Sequence, residues 1–213
     1  IENKAFLLLP HHIGSISITN ERMIFLSGWI NGGFFIANRD NKYILDILEW
    51  IILRISKMGF VAYELGLDAD QKWLTLMSQI YSDHVFVLKD PGYNVAYWNI
   101  EERNISMINS NYFVDKHPLV FFHFSGYKKS LTNQISIYSD FRYSDNSPLK
   151  KIVLQYKKQD IRIDLNTNYS HTLPITSLPL RERLKLYSKF YPYLKFNDLP
   201  GIFARLGGKI DRF

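Results

Sequence analysis

The sequence predicts an α/β protein: part of a mixed sheet flanked by helices, followed by a helical C-terminal appendage. Three observations carry that reading. Short apolar runs of strand length recur at residues 5–9, 33–37, 84–88 and 119–124. Between them lie longer stretches in which apolar residues recur at helical spacing, and strands alternating with helices make a layered α/β structure. Past about residue 145 the strand-like runs stop and helical patterning takes over.

Residues 5–9 (Ala-Phe-Leu-Leu-Leu) are uniformly apolar and are halted by Pro10, which has no amide hydrogen to give a ladder. Residues 33–37 (Gly-Phe-Phe-Ile-Ala) read likewise, behind the turn-forming Asn31-Gly32. From 43 to 58 the apolar positions are 44, 47, 48, 51, 52, 55 and 58, one helical face, with Gly59 placed as a C-cap glycine. A second helix begins near Asp68, with Trp73, Leu74, Met77, Ile80 and Tyr81 on its apolar side. Residues 84–88 and 119–124 read as two further buried strands. Ser147-Pro148 is an N-cap followed by proline at the first helical position, opening a helix to about Gln159. An irregular stretch at 166–180, broken by Pro174 and Pro179, precedes a last amphipathic helix at 180–190 carrying Arg181, Arg183, Lys185 and Lys189. The expected organisation is a core at 1–145 and a helical extension at 146–213.

Composition narrows the chemistry. The 213 residues hold 26 Lys+Arg against 20 Asp+Glu, a net charge of +6. That charge suits anionic ligands or an acidic surface but falls short of a nucleic-acid signature. The absence of cysteine excludes a disulfide framework, a Cys-ligated zinc site and thiol catalysis. No apolar run reaches the roughly 18 residues of a membrane span. The basic face at 181–189 reads as solvated, or as a surface for peripheral contact with an anionic membrane.

Three stretches carry candidate chemistry. In residues 121–129 (Phe-Phe-His-Phe-Ser-Gly-Tyr-Lys-Lys) an apolar strand gives way at His123 to a small-residue turn and two lysines. Ligands in α/β sheets gather at the carboxyl ends of strands. There a neutral His123 can bind a divalent metal, Gly126 can let backbone approach a phosphate, and Lys128 or Lys129 can neutralise it. The same residues also read as a strand-end histidine bonded to a neighbour, followed by a solvated lysine pair. Asp70-Gln71 can hydrogen-bond sugar hydroxyls, yet Asp68-Ala69-Asp70-Gln71 equally resembles a capping box with Asp68 at the N-cap. Residues 90–99 (Asp-Pro-Gly-Tyr-Asn-Val-Ala-Tyr-Trp-Asn) open with a turn. Tyr93, Tyr97 and Trp98 there offer flat faces, and Asn94 and Asn99 offer paired donors and acceptors, for a sugar or for packing the loop onto the core. Asn31-Gly32-Gly33 is a backbone surface for a ligand or a tight turn, and His11-His12 supply a ligand or base or face water.

Taken together, these segments resemble one group of bacterial glycosyltransferases of the nucleotide-diphospho-sugar (GT-A) superfamily. The similarity runs through residues 31–37, 70–74, 88–99 and 118–127, in matching order over about 5–145, and more faintly through the C-terminal helices. The layout is also similar to glycosyltransferase family 8, whose H-x-x-G-x-x-K motif falls here on His123, Gly126 and Lys129. Ser130-Leu131 stands where that family often has Pro-Trp. The resemblance implies that His123 ligates Mn2+ (or Mg2+) and that Lys129, with Lys128, meets the donor diphosphate. It further implies that Asp70 and Gln71 act at the sugar and that Asn31 and Gly33 shape the donor side. Tyr93, Asn94, Tyr97 and Trp98 are then expected at the acceptor or sugar.

The implied activity is transfer from a nucleotide-diphosphate sugar, a UDP-sugar foremost, to a glycan or lipid-linked acceptor in surface-polysaccharide synthesis. A cytoplasmic setting, peripheral to the inner membrane, goes with it. Such enzymes carry a nucleotide-binding βαβ unit and a D-x-D upstream of the matching segments. The chain is therefore expected to correspond to the C-terminal part of a GT-A domain and to be inactive by itself. The alternative expectation is a non-catalytic module that binds carbohydrate or nucleotide sugar on a degenerate transferase scaffold.

Overall fold

Among the described residues, two small sheets, one mixed and one antiparallel, are organised with four α-helices. The computed structural model describes residues 3–159 apart from 15, 64 and 65. In chain order the elements are β1 (Phe6–Pro10), α1 (Ile18–Ser27), β2 (Ile30–Ala37), α2 (Ile44–Met58), α3 (Gln71–Ile80) and β3 (Val85–Val87). A 3-10 turn at Ile100–Glu102 follows, then β4 (Ile105–Ile108), β5 (Asn111–Val114), β6 (His117–Pro118) and α4 (Pro148–Gln159). The expected α/β class is observed. The irregular stretch at 166–180 and the basic helix at 180–190 lie outside the described residues.

The first sheet has the order β2-β1-β3, with β1 antiparallel to β2 and parallel to β3. Every residue of β1 is buried, as its unbroken apolar sequence requires of a central strand. α2 presents Ile44, Ile47 and Ile51, and α3 presents Leu74 and Met77, to a core shared with Ala5, Phe6, Leu8, Ile30 and Val85. Each such side chain contributes about 1.5–3 kcal/mol through apolar burial, so this cluster holds the sheet and both helices as one body. Ile52 and Ile80, assigned by spacing to apolar faces, stand exposed at the rims.

A second core is assembled largely from loops. Val95, Ile100, Val114, Ile135 and Tyr143 pack with Leu149 and Val153 of α4. Ser147 caps α4 as expected, its Oγ accepting the Lys150 amide at 3.2 Å.

One expectation is corrected, and two features were not foreseen. Residues 119–124 do not form a strand of the main sheet. Their one bridge is a parallel pairing of Phe122 with Val95, supported by backbone bonds to Gly92 and Tyr112, because β1 is already paired on both sides. β1 does stop at Pro10, which is its last residue and lies opposite Ile30. The β4–β5–β6 meander was not foreseen, since its two-residue turn, Asn109-Ser110, lacks the usual glycine. Both residues take positive φ, 47° and 66°, as a tight hairpin turn requires. α1 was also unforeseen: none of its residues is buried, and Ile18 and Phe25 face outward, so it has no apolar periodicity to read. Among the described residues no helix is long and apolar enough to cross a membrane.

Candidate functional site

The site begins at an irregularity between β1 and β2. Leu8 pairs with Phe35 but Leu9 pairs with Asn31, so Gly32, Gly33 and Phe34 have no partner in β1. Such bulges re-aim the chain locally. Here the Asn31-Gly32 pair sits inside β2 rather than forming the expected turn before it. A β-carbon on Gly33 would collide with the His123 ring, and one on Gly32 would collide with the Asp70 carboxylate. Two other segments close directly onto this backbone, so an added β-carbon would force the His123 ring or the Asp70 carboxylate to shift.

A hydrogen-bonded chain fixes the residues around the bulge. The Gly28 carbonyl can only accept, so His11 Nδ1 carries the proton and donates to it at 3.0 Å. His11 Nε2 then accepts from Asn31 Nδ2 at 3.2 Å. The same Asn31 amide donates to Gln71 Oε1 at 3.2 Å, while Asn31 Oδ1 accepts the Gly33 amide at 3.0 Å. Gln71 Nε2 donates to Asp68 Oδ2 at 3.4 Å. Burial pushes the His11 imidazole down to about 4, so it is neutral near pH 7. The capping-box reading is not realised: Asp70 occupies the N-cap position without a side-chain cap bond, and Gln71 is the first helical residue. Gln71 serves the bulge instead.

Asn94 and Asn99 anchor the second part of the site. Each is 1% exposed. Asn99 Nδ2 donates to the carbonyls of His11 (2.8 Å) and Asn94 (2.9 Å), and its Oδ1 accepts the Ala96 amide. Asn94 takes φ 53°, a left-handed conformation that asparagine tolerates, and donates through Nδ2 to the Pro10 carbonyl at 3.2 Å. Its remaining Oδ1 faces His123 Nδ1 at 3.2 Å. An amide oxygen cannot donate, so His123 is protonated on Nδ1 and presents an unprotonated Nε2. His123 is half-buried, and burial lowers its pKa. Trp98 stands between the two imidazoles, edge-on to His11 at 5.4 Å and to His123 at 5.0 Å.

The fold thus brings together Asn31, Gly33, Asp70, Gln71, Asn94, Trp98 and His123 from four separated segments. Other predicted residues are placed elsewhere. Tyr93 packs edge-on against Phe121. Tyr97 packs against Trp98 and Tyr138, and burial raises its phenol pKa. Gly126, at φ 67°, lies against Ser136 and Tyr138, so the close approach it permits is to protein. Lys128 and Lys129 are exposed.

Sequence reasoning missed a cluster beside this site. His12 is 5% exposed rather than facing water, and Asn94 and Asn99 tie down the backbone just before it, at Pro10 and His11. Its Nδ1 lies 3.4 Å from Glu102 Oε1, without the alignment of a hydrogen bond. Glu102 also contacts Arg103 Nη2 at 3.4 Å and accepts the Gly14 amide at 3.2 Å. The only signal was the unremarked pair Glu102-Arg103, which reads as surface charge until the fold buries it.

Among the described residues no three His, Asp or Glu side chains gather as a metal site. The donor chemistry fits one protein ligand: His123 Nε2 is neutral, unprotonated, and oriented from behind by Asn94, the arrangement typical of ligating histidines.

The chain is similar to two proteins of Bacillus subtilis (strain 168), both described as uncharacterized. It is 25% identical to YfnD over 134 residues, which is 61% of this chain and 42% of that protein. It is 32% identical to YfnF over 111 residues, 52% of this chain and 36% of that protein. The chain thus matches under half the length of either relative. No protein-family model and no solved structure matches it.

Proposed function

We propose that this chain belongs to a glycosyltransferase on a GT-A-like sheet, moving a sugar from a nucleotide-diphosphate donor to a glycan or lipid-linked acceptor. The observation that most supports this reading is the convergence of Asn31-Gly32-Gly33, Asp70-Gln71, Asn94 and His123 on one bulged strand edge. Those segments carry the resemblance, and they lie up to 92 positions apart (123 − 31). Nothing in their spacing along the chain requires them to meet.

The residues divide the work by chemistry. His123 Nε2 would be the protein ligand of a divalent cation, Mn2+ or Mg2+, which supplies neutralisation of charge on a diphosphate leaving group. Asn94 holds the tautomer that keeps that nitrogen unprotonated. Gly33 admits the imidazole against the strand, and Asn31 and Gln71 keep the bulge in shape. Asp70, whose carboxylate makes no helix cap, remains for a sugar hydroxyl.

Isothermal titration of UDP into the chain, with and without Mn2+, tests the reading. Binding should require Mn2+ and should weaken at least tenfold in His123→Ala. Metal-dependent binding that is unchanged in His123→Ala overturns it. Glycan binding that persists without metal, with no UDP binding, favours the non-catalytic carbohydrate module instead.

A further inference from the structure

The hairpin of β4 and β5 ends in a tip that the protein leaves uncovered. Every residue from Met107 to Asn111 is exposed, Ile108 to 58%. Successive strand residues point to opposite faces, so Met107 and Ile108 make both faces of the tip apolar. The turn itself is well defined: Asn109 and Ser110 hold positive φ, and Ile108 pairs with Asn111. No residue from Ile105 to Val114 carries a charge.

α4 runs beside this hairpin, and its outer side is basic. Lys151 Nζ lies 3.9 Å from Met107 Sδ. Leu154, itself 44% exposed, and Lys158 follow Lys151 at i+3 and i+7, so the three share one helical face. The helix holds Lys150, Lys151, Lys157 and Lys158 and no Asp or Glu. Two of these lysines are answered within the protein: Lys150 by Asp145 at 2.7 Å, and Lys157 by the Leu131 carbonyl at 2.7 Å. Among the described residues, neither Lys151 nor Lys158 has a carboxylate in ion-pair reach. Lys151 also sits in the first turn, where the helix end is itself positive and a carboxylate is the stabilising choice. An anionic surface outside the protein accounts for cations kept beside an aliphatic tip.

Other exposed apolar side chains lack this complement of charge. Leu45, Ile52 and Leu53 share α2 with Asp46 and Glu49, and Ile18 and Phe25 share α1 with Glu21. Base stacking does not suit the patch either. Its apolar side chains are aliphatic, and Tyr156, the exposed ring on α4, has its face stacked on Phe124 at 3.8 Å.

We propose that the β4–β5 tip and the outer side of α4 form a docking surface for an anionic lipid bilayer. Met107, Ile108 and Leu154 enter the interface while Lys151 and Lys158 meet lipid phosphates. Aliphatic side chains settle at the boundary with the acyl chains, and lysines reach headgroups along flexible stems. This docking requires neither the basic helix expected at 180–190 nor the transferase reading.

Co-sedimentation of the full chain with lipid vesicles tests the proposal. Vesicles with about one-third phosphatidylglycerol should bind the chain at about 0.1 M salt, and vesicles of phosphatidylcholine alone should bind it roughly tenfold less. The double variant Lys151→Glu/Lys158→Glu and, separately, Ile108→Asp should each weaken binding roughly fivefold or more, with unfolding midpoints unchanged. Because the chain has no cysteine, Ile108→Cys accepts a single environment-sensitive fluorophore. Its emission should shift to the blue on anionic vesicles, while the same label at Lys116→Cys, beyond the opposite end of β5, should not shift. Absence of binding to anionic vesicles, equal binding to both kinds, binding untouched by these substitutions, or an unshifted label at 108 overturns the proposal. Retention on polyuridylate but not on vesicles gives the lysines to nucleic acid and overturns it as well. Mn2+-dependent UDP binding should be the same in these variants as in the native chain, so the docking surface and the transferase reading fail separately.

Discussion

The two imidazoles flanking Trp98 are held in opposite ways. At the end of β1, His11 has both ring nitrogens engaged, one by the Gly28 carbonyl and one by Asn31. On the 121–129 segment, His123 has one nitrogen engaged, by Asn94. Both are neutral and both are displaced from bulk water, yet only one retains a lone pair directed at something other than its own protein. A fully partnered buried histidine is part of the frame. A half-partnered one, with its tautomer imposed from behind, is the form that ligand chemistry needs.

The strongest way to break this comparison is to remove the frame common to both. Asn99→Ala deletes three buried hydrogen bonds and leaves the His11 and Asn94 carbonyls and the Ala96 amide unmet. We expect a loss of about 3 kcal/mol in urea-induced unfolding.

Acidification should act on His11 in particular. Its folded pKa of about 4 lies below the unfolded 6.5. The unfolded chain therefore takes up the proton first, and stability falls as pH drops from about 6.5 to about 4. The His11 contribution to that fall is about 3 kcal/mol or less. It levels off below pH 4 and is absent above 6.5. A His11→Gln variant should show a shallower slope across that window than the native chain; equal slopes would show that His11 is not the group responsible.

Gly33→Ala places a methyl group against the His123 ring and Asn31 Oδ1. A loss of about 1–2 kcal/mol is expected from this overpacking, accompanied by weaker Mn2+-dependent UDP binding. His123→Ala should cost least in stability, under about 1 kcal/mol, since it removes one hydrogen bond at a half-buried position. Its effect should fall on metal and UDP. If instead His123→Ala destabilises as much as His11→Gln, the distinction between frame and site is lost.

Much of the first core was legible in the sequence. The apolar run before Pro10 and the helical spacing from Ile44 to Met58 state burial directly, because repeated apolar positions on one face have nowhere else to go. The candidate positions Asn31, Gln71, Asn94, Trp98 and His123 were visible as residue types. Their division of labour was not. Gln71 was equally a capping residue, and His123 was placed on a strand that does not form. α1 and the Asn109-Ser110 hairpin escaped notice for want of periodicity or glycine, and the His12–Glu102 cluster for want of any local signal.

Local composition and periodicity by themselves determined the α/β class, the buried β1, the two helices of the first core and the set of chemically able side chains. Those features depend on neighbours within a few residues. The tertiary structure decided which side chains are spent on the protein and which remain available. Hydrogen-bond partners such as Pro10 with Asn94, or His11 with Asn99, are separated by more than 80 residues. A donor's availability depends on where its acceptors are in space, and only the folded backbone brings them within hydrogen-bond reach.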